Sequence, residues 1–187
     1  MKRLVILASG SGTNAENIAN YFKESTSIKV EAILTNKTTA GVLERAKRLK
    51  IPSKVFTKTE MNDANIFGKY LESHADYIIL AGFLLKIPDY LVAIFPDKII
   101  NIHPALLPKY GGKGMYGMYV HNAVVANKEV ESGITIHFVN EHYDEGAIIF
   151  QASTAVTATD TPEMVAQKIH ALEYAHFPKI IEEVVNG

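Results

Sequence analysis

The sequence predicts a single-domain α/β protein built on an open, doubly wound mixed sheet, mostly parallel, with an antiparallel hairpin near the C-terminal end. Three observations carry this. Short apolar runs alternate with helical patterns from Leu4 to Ile102, as in β-α-β units with right-handed crossovers. The first run, Leu4-Val5-Ile6-Leu7-Ala8, is apolar without alternation, the pattern of a strand buried on both faces. Further on, Gly133 to Val139 does alternate, with Ile134, Ile136 and Phe138 against Thr135 and His137. A turn at Asp144-Glu145-Gly146 and a strand over Ile148 to Ala152 follow it, which reads as a hairpin.

The elements follow in order. The first strand, Leu4 to Ala8, runs straight into Ser9-Gly10-Ser11-Gly12, and Thr13 with Glu16 stands at capping-box spacing before the helical pattern Ile18, Ala19, Phe22. Val30 to Leu34 is a second strand, and Gly41 to Lys50 a second helix closed by Pro52. Ser53 to Phe56 is a brief third strand. A third helix spans Glu60 to Ser73, with Ile66, Tyr70 and Leu71 on one side. Tyr77 to Ala81 is a fourth strand, Pro88 to Phe95 a short helix begun by proline, and Ile99 to Ile102 a fifth strand. The last helix starts at Thr161-Pro162-Glu163 and runs to about Val185. No linker, repeat or low-complexity tract divides the chain.

Composition narrows the function classes. The 187 residues suit one core, and 48% hydrophobic content is too high for disorder. Nineteen Lys and Arg against twenty Asp and Glu argue against a nucleic-acid or anionic membrane partner. No cysteine is present, which excludes disulfides, thiolate zinc sites and a cysteine nucleophile. Nothing approaches the ~18 apolar residues of a membrane span. Ser9-Gly10-Ser11-Gly12 breaks the first apolar run too early for a signal peptide. The expectation is a cytoplasmic protein.

Two segments carry chemistry. In a doubly wound sheet, ligands gather beyond the carboxyl ends of the strands. The turn Ser9 to Asn14 lies at such an end, where glycines admit close backbone approach and the free N–H groups of a helix N-terminus favour an anion. Ser11, Thr13 and Asn14 add side-chain donors. A tight turn needing glycine for geometry alone is the other reading. Ala15 stands where a dinucleotide fingerprint has its third glycine, the P-loop lysine is missing, and Thr35-Asn36-Lys37 offers no acid to a ribose. A phosphate monoester therefore fits better than NAD.

The fifth strand ends in Asn101-Ile102-His103-Pro104-Ala105-Leu106-Leu107-Pro108. Asn101 and His103 are two apart on a strand and share a face. A donor amide beside an imidazole suits a developing oxyanion and proton transfer, whereas an isolated histidine here would simply satisfy backbone. The loop Asn140 to Gly146 offers acids to pair with His103, Asp144 among them. Asp144 is equally read as a plain turn residue. No metal site is expected.

Taken together, Ala8-Ser9-Gly10-Ser11-Gly12-Thr13-Asn14, Leu80-Ala81-Gly82-Phe83, Asn101 to Pro108, His137-Phe138-Val139, Asp144 and Leu172-Glu173 resemble the folate-dependent formyltransferase family, specifically its phosphoribosylglycinamide formyltransferases. The likeness runs from Leu4 to about Val184. It implies a Rossmann-like formyltransferase fold. The implied activity is transfer of a formyl group from 10-formyltetrahydrofolate, as co-substrate, to the amine of phosphoribosylglycinamide in purine biosynthesis.

By that resemblance Asn101, His103 and Asp144 form the catalytic trio. Ser11, Gly12, Thr13 and Asn14 hold the ribose phosphate, and Glu173 meets the glycinamide substrate. The folate lies along Phe83, Leu84, Leu85, Lys86 and Ile87 and along Val139, Asn140 and Glu141. Ile169, Glu173 and Phe177 are four apart, which puts Glu173 on the inward edge of its helix; a salt bridge to a lysine of the fold is the plainer use of it.

Leu85-Lys86 replaces a pattern that often carries Arg after Gly-Phe. Gly111 to Tyr119, with four glycines, is longer than in many members and reads as a mobile flap. Lys113 within it is placed to meet a phosphate or the folate glutamate tail, or else solvent. His121 and His137 read as buried structural histidines, and His74, His142, His170 and His176 form no constellation. Two other activities stand beside the transferase: a formyltetrahydrofolate hydrolase using water as acceptor, and a non-catalytic nucleotide-binding module. A methionyl-tRNA formyltransferase is expected to need a further domain and a basic tRNA surface. Monomer and homodimer are equally compatible with the sequence.

Overall fold

The computed structural model describes all 187 residues. Seven strands form one sheet in the order β3-β2-β1-β4-β5-β6-β7. These are β1 (Lys2–Leu7), β2 (Ile28–Thr35), β3 (Ser53–Val55), β4 (Tyr77–Leu80), β5 (Ile99–His103), β6 (Glu131–Phe138) and β7 (Ile148–Ala155). Strands β1 to β5 pair in parallel; β6 is antiparallel to both β5 and β7. The expected mixed sheet is therefore present, and its antiparallel part takes in three strands.

The continuous apolar run of β1 is explained by burial on both faces. Leu4, Ile6 and Ala8 join one apolar layer, which also contains residues of α1 (Thr13–Tyr21), α2 (Val42–Leu49), α6 (Met118–Ala126) and α7 (Pro162–Asn186). Val5 and Leu7 join the other, with Met61, Leu71 and Leu91 from α3 (Lys58–Met61), α4 (Lys69–His74) and α5 (Asp89–Ile94). Successive side chains of a strand point to opposite faces, so an unbroken apolar strand needs both layers.

Three expectations are corrected. The third helix is not continuous: α3 carries a capping box between Thr57 and Glu60, Asp63 caps a separate π-helical stretch over Ala64–Gly68, and α4 follows. That break turns Ile66 to solvent and buries Phe67 instead. The Thr13–Glu16 capping box does not form. Gly12, at φ 78°, is the N-cap of α1 with no side-chain bond, and Glu16 turns to Arg45 and Arg48 of α2. Finally, Met118–Ala126 is a helix, so only the first part of the glycine-rich stretch is loop.

Candidate active site

The strand order reverses at β1 and β4, the position at which an open α/β sheet forms its ligand crevice. A cleft of about 640 Å³ opens there. It brings together three sequence-distant regions: the glycine turn after β1, the end of β5, and the loop between β6 and β7.

The turn is fixed first. Ser9 N–H donates to Gly82 O at 3.0 Å, Ser9 Oγ donates to Asn36 Oδ1 at 2.6 Å, and Leu84 N–H donates to Ser9 Oγ at 3.0 Å. This ties the ends of β1, β2 and β4 together under the cleft. Beyond it, the N–H groups of Gly10, Ser11, Gly12, Thr13 and Asn14 donate to no protein acceptor. A helix start without a side-chain cap leaves such donors free for an anion. Asn14 instead spends its side chain on α7: its Nδ2 donates to Glu173 Oε2 at 2.8 Å, and its buried Oδ1 has no protein partner.

Glu173 is 5% exposed, on an inward stripe with Ile169 and Phe177 at 0%. No lysine meets it. His170 Nδ1 lies 2.9 Å from Glu173 Oε2, and this contact raises the His170 pKa above its ordinary value against the opposing effect of burial. The expectation that His170 joins no constellation is therefore corrected, and its i, i+3 spacing from Glu173 was the available signal.

At the end of β5, Asn101 stands opposite His137 and His103 opposite Thr135 in the antiparallel register with β6. His137 Nδ1 is 2.7 Å from the Phe138 carbonyl and therefore carries a proton. Its Nε2 lies 3.0 Å from Asn101 Nδ2 and accepts from it when the ring is neutral. His137 is thus more than a structural histidine, because it fixes which way the Asn101 amide faces.

His103, 3% exposed, donates from Nε2 to the Tyr110 carbonyl at 2.7 Å and presents Nδ1 to Asp144 Oδ2 at 3.5 Å. Asp144 takes the left-handed conformation at φ 56°, which an Asp tolerates better than most residues, and its Oδ2 accepts from Gly112 N–H at 2.9 Å. Burial opposes ionisation of Asp144, but the neighbouring imidazoles of His137 and His103 and the Gly112 N–H outweigh it and hold the carboxyl below its usual range. Burial also dominates at His103 and pushes its pKa down, only partly offset by Asp144 and the Tyr110 carbonyl. Burial thus favours the neutral form of this imidazole in the free protein. His121, on α6, is 2% exposed at the cleft wall with an unpartnered Nδ1, and burial likewise lowers its pKa.

The remaining wall is built by Phe83, Leu84, Leu85, Lys86 and Ile87 from the segment after β4 and by Val139 and Asn140 after β6. Glu141 is exposed and does not line the cleft. Lys86 pairs with Asp89 at 2.8 Å across the surface. Gly112 to Gly117, including Lys113, lines the opposite rim. No group of His, Asp or Glu is arranged to hold a metal ion, and no helix is long and apolar enough to cross a membrane.

Residues 2–181 match the formyl transferase family. The chain is 37% identical to the phosphoribosylglycinamide formyltransferase of Haemophilus influenzae, over 100% of this chain and 89% of that protein. It is 38% identical to the chloroplastic phosphoribosylglycinamide formyltransferase of Arabidopsis thaliana, over 96% of this chain but only 64% of the longer plant protein. The glycinamide ribonucleotide transformylase 1 of Symbiobacterium toebii superposes with a TM-score of 0.90 at 30% identity, over 100% of this chain and 89% of that one. With the sheet, the cleft and these likenesses in agreement, the chain belongs to the formyl transferase family.

Proposed function

We propose that the protein transfers the formyl group of 10-formyltetrahydrofolate to the amine of 5'-phosphoribosylglycinamide, acting in the cytoplasm in purine biosynthesis. The observation that carries this reading is that Asn101, His103 and Asp144 share one cleft with an unsatisfied row of backbone N–H donors. An anchored phosphate at one end and proton-transfer groups at the other fit a phosphorylated amine brought to an acyl donor. A cleft of this size, walled by Phe83 to Ile87 and Val139, also fits a flat heteroaromatic second substrate.

In the proposed reaction the ribotide phosphate sits on the Ser11 to Asn14 turn. The orphaned Oδ1 of Asn14 and a Glu173 oxygen accept from ribotide hydroxyl or amine hydrogens. The amine nitrogen attacks the formyl carbon, and charge gathers on the formyl oxygen. Asn101 Nδ2, already oriented by His137, has a second hydrogen to donate to that oxygen. Neutral His103 takes the proton released by the amine at Nδ1 and becomes an imidazolium beside Asp144. It then gives the proton to the folate nitrogen as the carbon–nitrogen bond to the folate breaks. Asp144 stabilises the charge that His103 acquires in between.

Purified protein is assayed for loss of 10-formyltetrahydrofolate with and without the ribotide. Turnover only with the ribotide is the expected result. Turnover without it selects a hydrolase with water as acceptor, and no turnover under either condition selects a binding module.

A further inference from the structure

The glycine turn does not hold its own shape. Gly12 lies at φ 78°, and a Cβ there would overlap the Val42 side chain at the start of α2. A Cβ on Gly41 would stand 3.3 Å from Ser11 Cα. The turn is therefore seated directly against the first turn of α2. The polar contacts follow the same division. Gly10 O accepts from Val42 N–H at 3.1 Å, Ser11 O accepts from Arg45 Nε at 2.8 Å, and Gly12 O accepts from Glu16 N–H at 2.9 Å. Three successive carbonyls are drawn away from the cleft, while the N–H groups of the same peptides and their neighbours are left without protein acceptors.

Arg45 is the side chain in this arrangement. Its Nη1 pairs with Glu16 on α1, which also holds Arg48. Arg45 is the more enclosed of the two, at 27% side-chain exposure against 63% for Arg48, and Arg48 makes no bond to the turn. Arg45 thus bridges α1, α2 and the turn, with a planar fork that serves a carboxylate and a carbonyl at once. It does not line the cleft.

We propose that Arg45, seated on Glu16, is a positioning residue that holds the Ser11 peptide with its carbonyl outward and its neighbouring N–H donors toward the cleft, and so sets affinity for the ribotide phosphate without touching it. This rests on the reading of the turn as the phosphate site. Losing one N–H hydrogen bond to the phosphate, a charged acceptor, is enough to cost about ten- to a hundredfold in affinity.

Three variants test it. Arg45→Ala removes the clamp; Arg45→Lys keeps the charge but lacks the planar fork whose separate Nε and Nη1 donors reach the Ser11 carbonyl and Glu16; Arg48→Ala removes the other cation from Glu16. The readouts are KM for the ribotide, KM for 10-formyltetrahydrofolate, kcat and Tm, with line broadening of inorganic phosphate in 31P spectra as a probe independent of turnover. The expected result for Arg45→Ala is a ribotide KM raised about ten- to a hundredfold, with the folate KM and kcat within about twofold of the parent. Arg45→Lys is expected to retain most of that defect at near-parental Tm, and Arg48→Ala to leave ribotide KM unchanged. Equal effects of Arg45→Ala and Arg48→Ala, full recovery in Arg45→Lys, or a parallel rise in both KM values overturns the proposal. If the parent turns over no ribotide, the proposed activity fails on its own; phosphate broadening that is lost in Arg45→Ala and kept in Arg48→Ala still supports the clamp, and a parent that binds no phosphate overturns it.

Discussion

His103 Nδ1 and Asp144 Oδ2 face each other at 3.5 Å, outside ordinary hydrogen-bond range and close enough for a full charge on either to be felt by the other. His103 has its other nitrogen fixed on the Tyr110 carbonyl, and Asp144 has the same oxygen fixed on Gly112 N–H. The pair is held apart from both sides. A proton arriving at Nδ1 would enter the gap between them, so Asp144 acts on the charged state of the imidazole more than on its resting position.

The first prediction follows from that geometry. His103→Ala and Asp144→Asn are each expected to lower kcat by about 10²- to 10⁴-fold, the usual contribution of a positioned general acid–base group. Neither side chain belongs to the glycine turn, so the ribotide KM should stay within a few-fold of the parent. Steady-state kinetics measure both quantities, and near-parental turnover in either variant would remove the roles assigned here.

The rate should also titrate with a definite sign. Burial lowers the His103 pKa from its ordinary 6.5, and the proposed step needs the neutral imidazole. The acid limb of kcat/KM, which reports the free enzyme, is therefore expected to rise with pH through a value below about 6.5 and to be level above it. Asp144→Asn removes the anion that favours the charged imidazole, so the acid limb of its residual activity should move to still lower pH. A limb above pH 7 in the parent, or a shift upward in the variant, contradicts the assignment.

Much of this could be read from the amino-acid sequence, for identifiable reasons. Asn101 and His103 were legible because strand alternation and a proline-bounded strand end fix both face and position. Glu173 was legible because a carboxylate on the Ile169–Phe177 stripe breaks an otherwise apolar period. Helix α6 was not legible. Its sequence, Met118 to Ala126, is apolar on nearly every side, and it follows a run of glycines, so no amphipathic period announces it. The true use of Glu16 was hidden as well. Thr13 and Glu16 have capping-box spacing, but Arg45 and Arg48 come from another helix, and tertiary pairing overrode the local signal. The role of His137 depends on the β5–β6 register, which sequence does not specify.

Acid stability gives a separate test of the cleft. His103 and His121 are both buried and both have pKa values lowered by burial. A folded-state pKa below the unfolded value of about 6.5 means stability present above that pH and lost as pH falls toward the folded value, at up to about 1.4 kcal/mol per group per pH unit. His170 runs the other way, since its pKa is raised by Glu173; its small share, for a half-exposed group, is present below 6.5 and lost as pH rises through its folded value. The buried pair should dominate. Urea unfolding is therefore expected to show lower stability at pH 5.5 than at pH 7.5, and His121→Gln, which cannot charge, should lose less than the parent over that interval. An equal loss would mean that His121 does not titrate in the unfolded-to-folded difference.

The loop that carries Asp144 depends on one glycine for close approach. A Cβ on Gly146 would overlap the carbonyl of Phe138, a backbone atom of β6 that cannot swing aside. That carbonyl already accepts from His137 Nδ1, and His137 orients Asn101. Gly146→Ala is thus expected to disturb Asp144 through the loop and Asn101 through His137 at once. Because both are proposed to act on the reacting formyl group, kcat should fall by about tenfold or more, while phosphate binding at the distant glycine turn is unchanged. Measuring kcat alongside the broadening of inorganic phosphate in 31P spectra separates the two ends of the cleft. Loss of phosphate binding together with activity would indicate general unfolding, and a variant with parental kcat would show that the loop finds another path around the added methyl group.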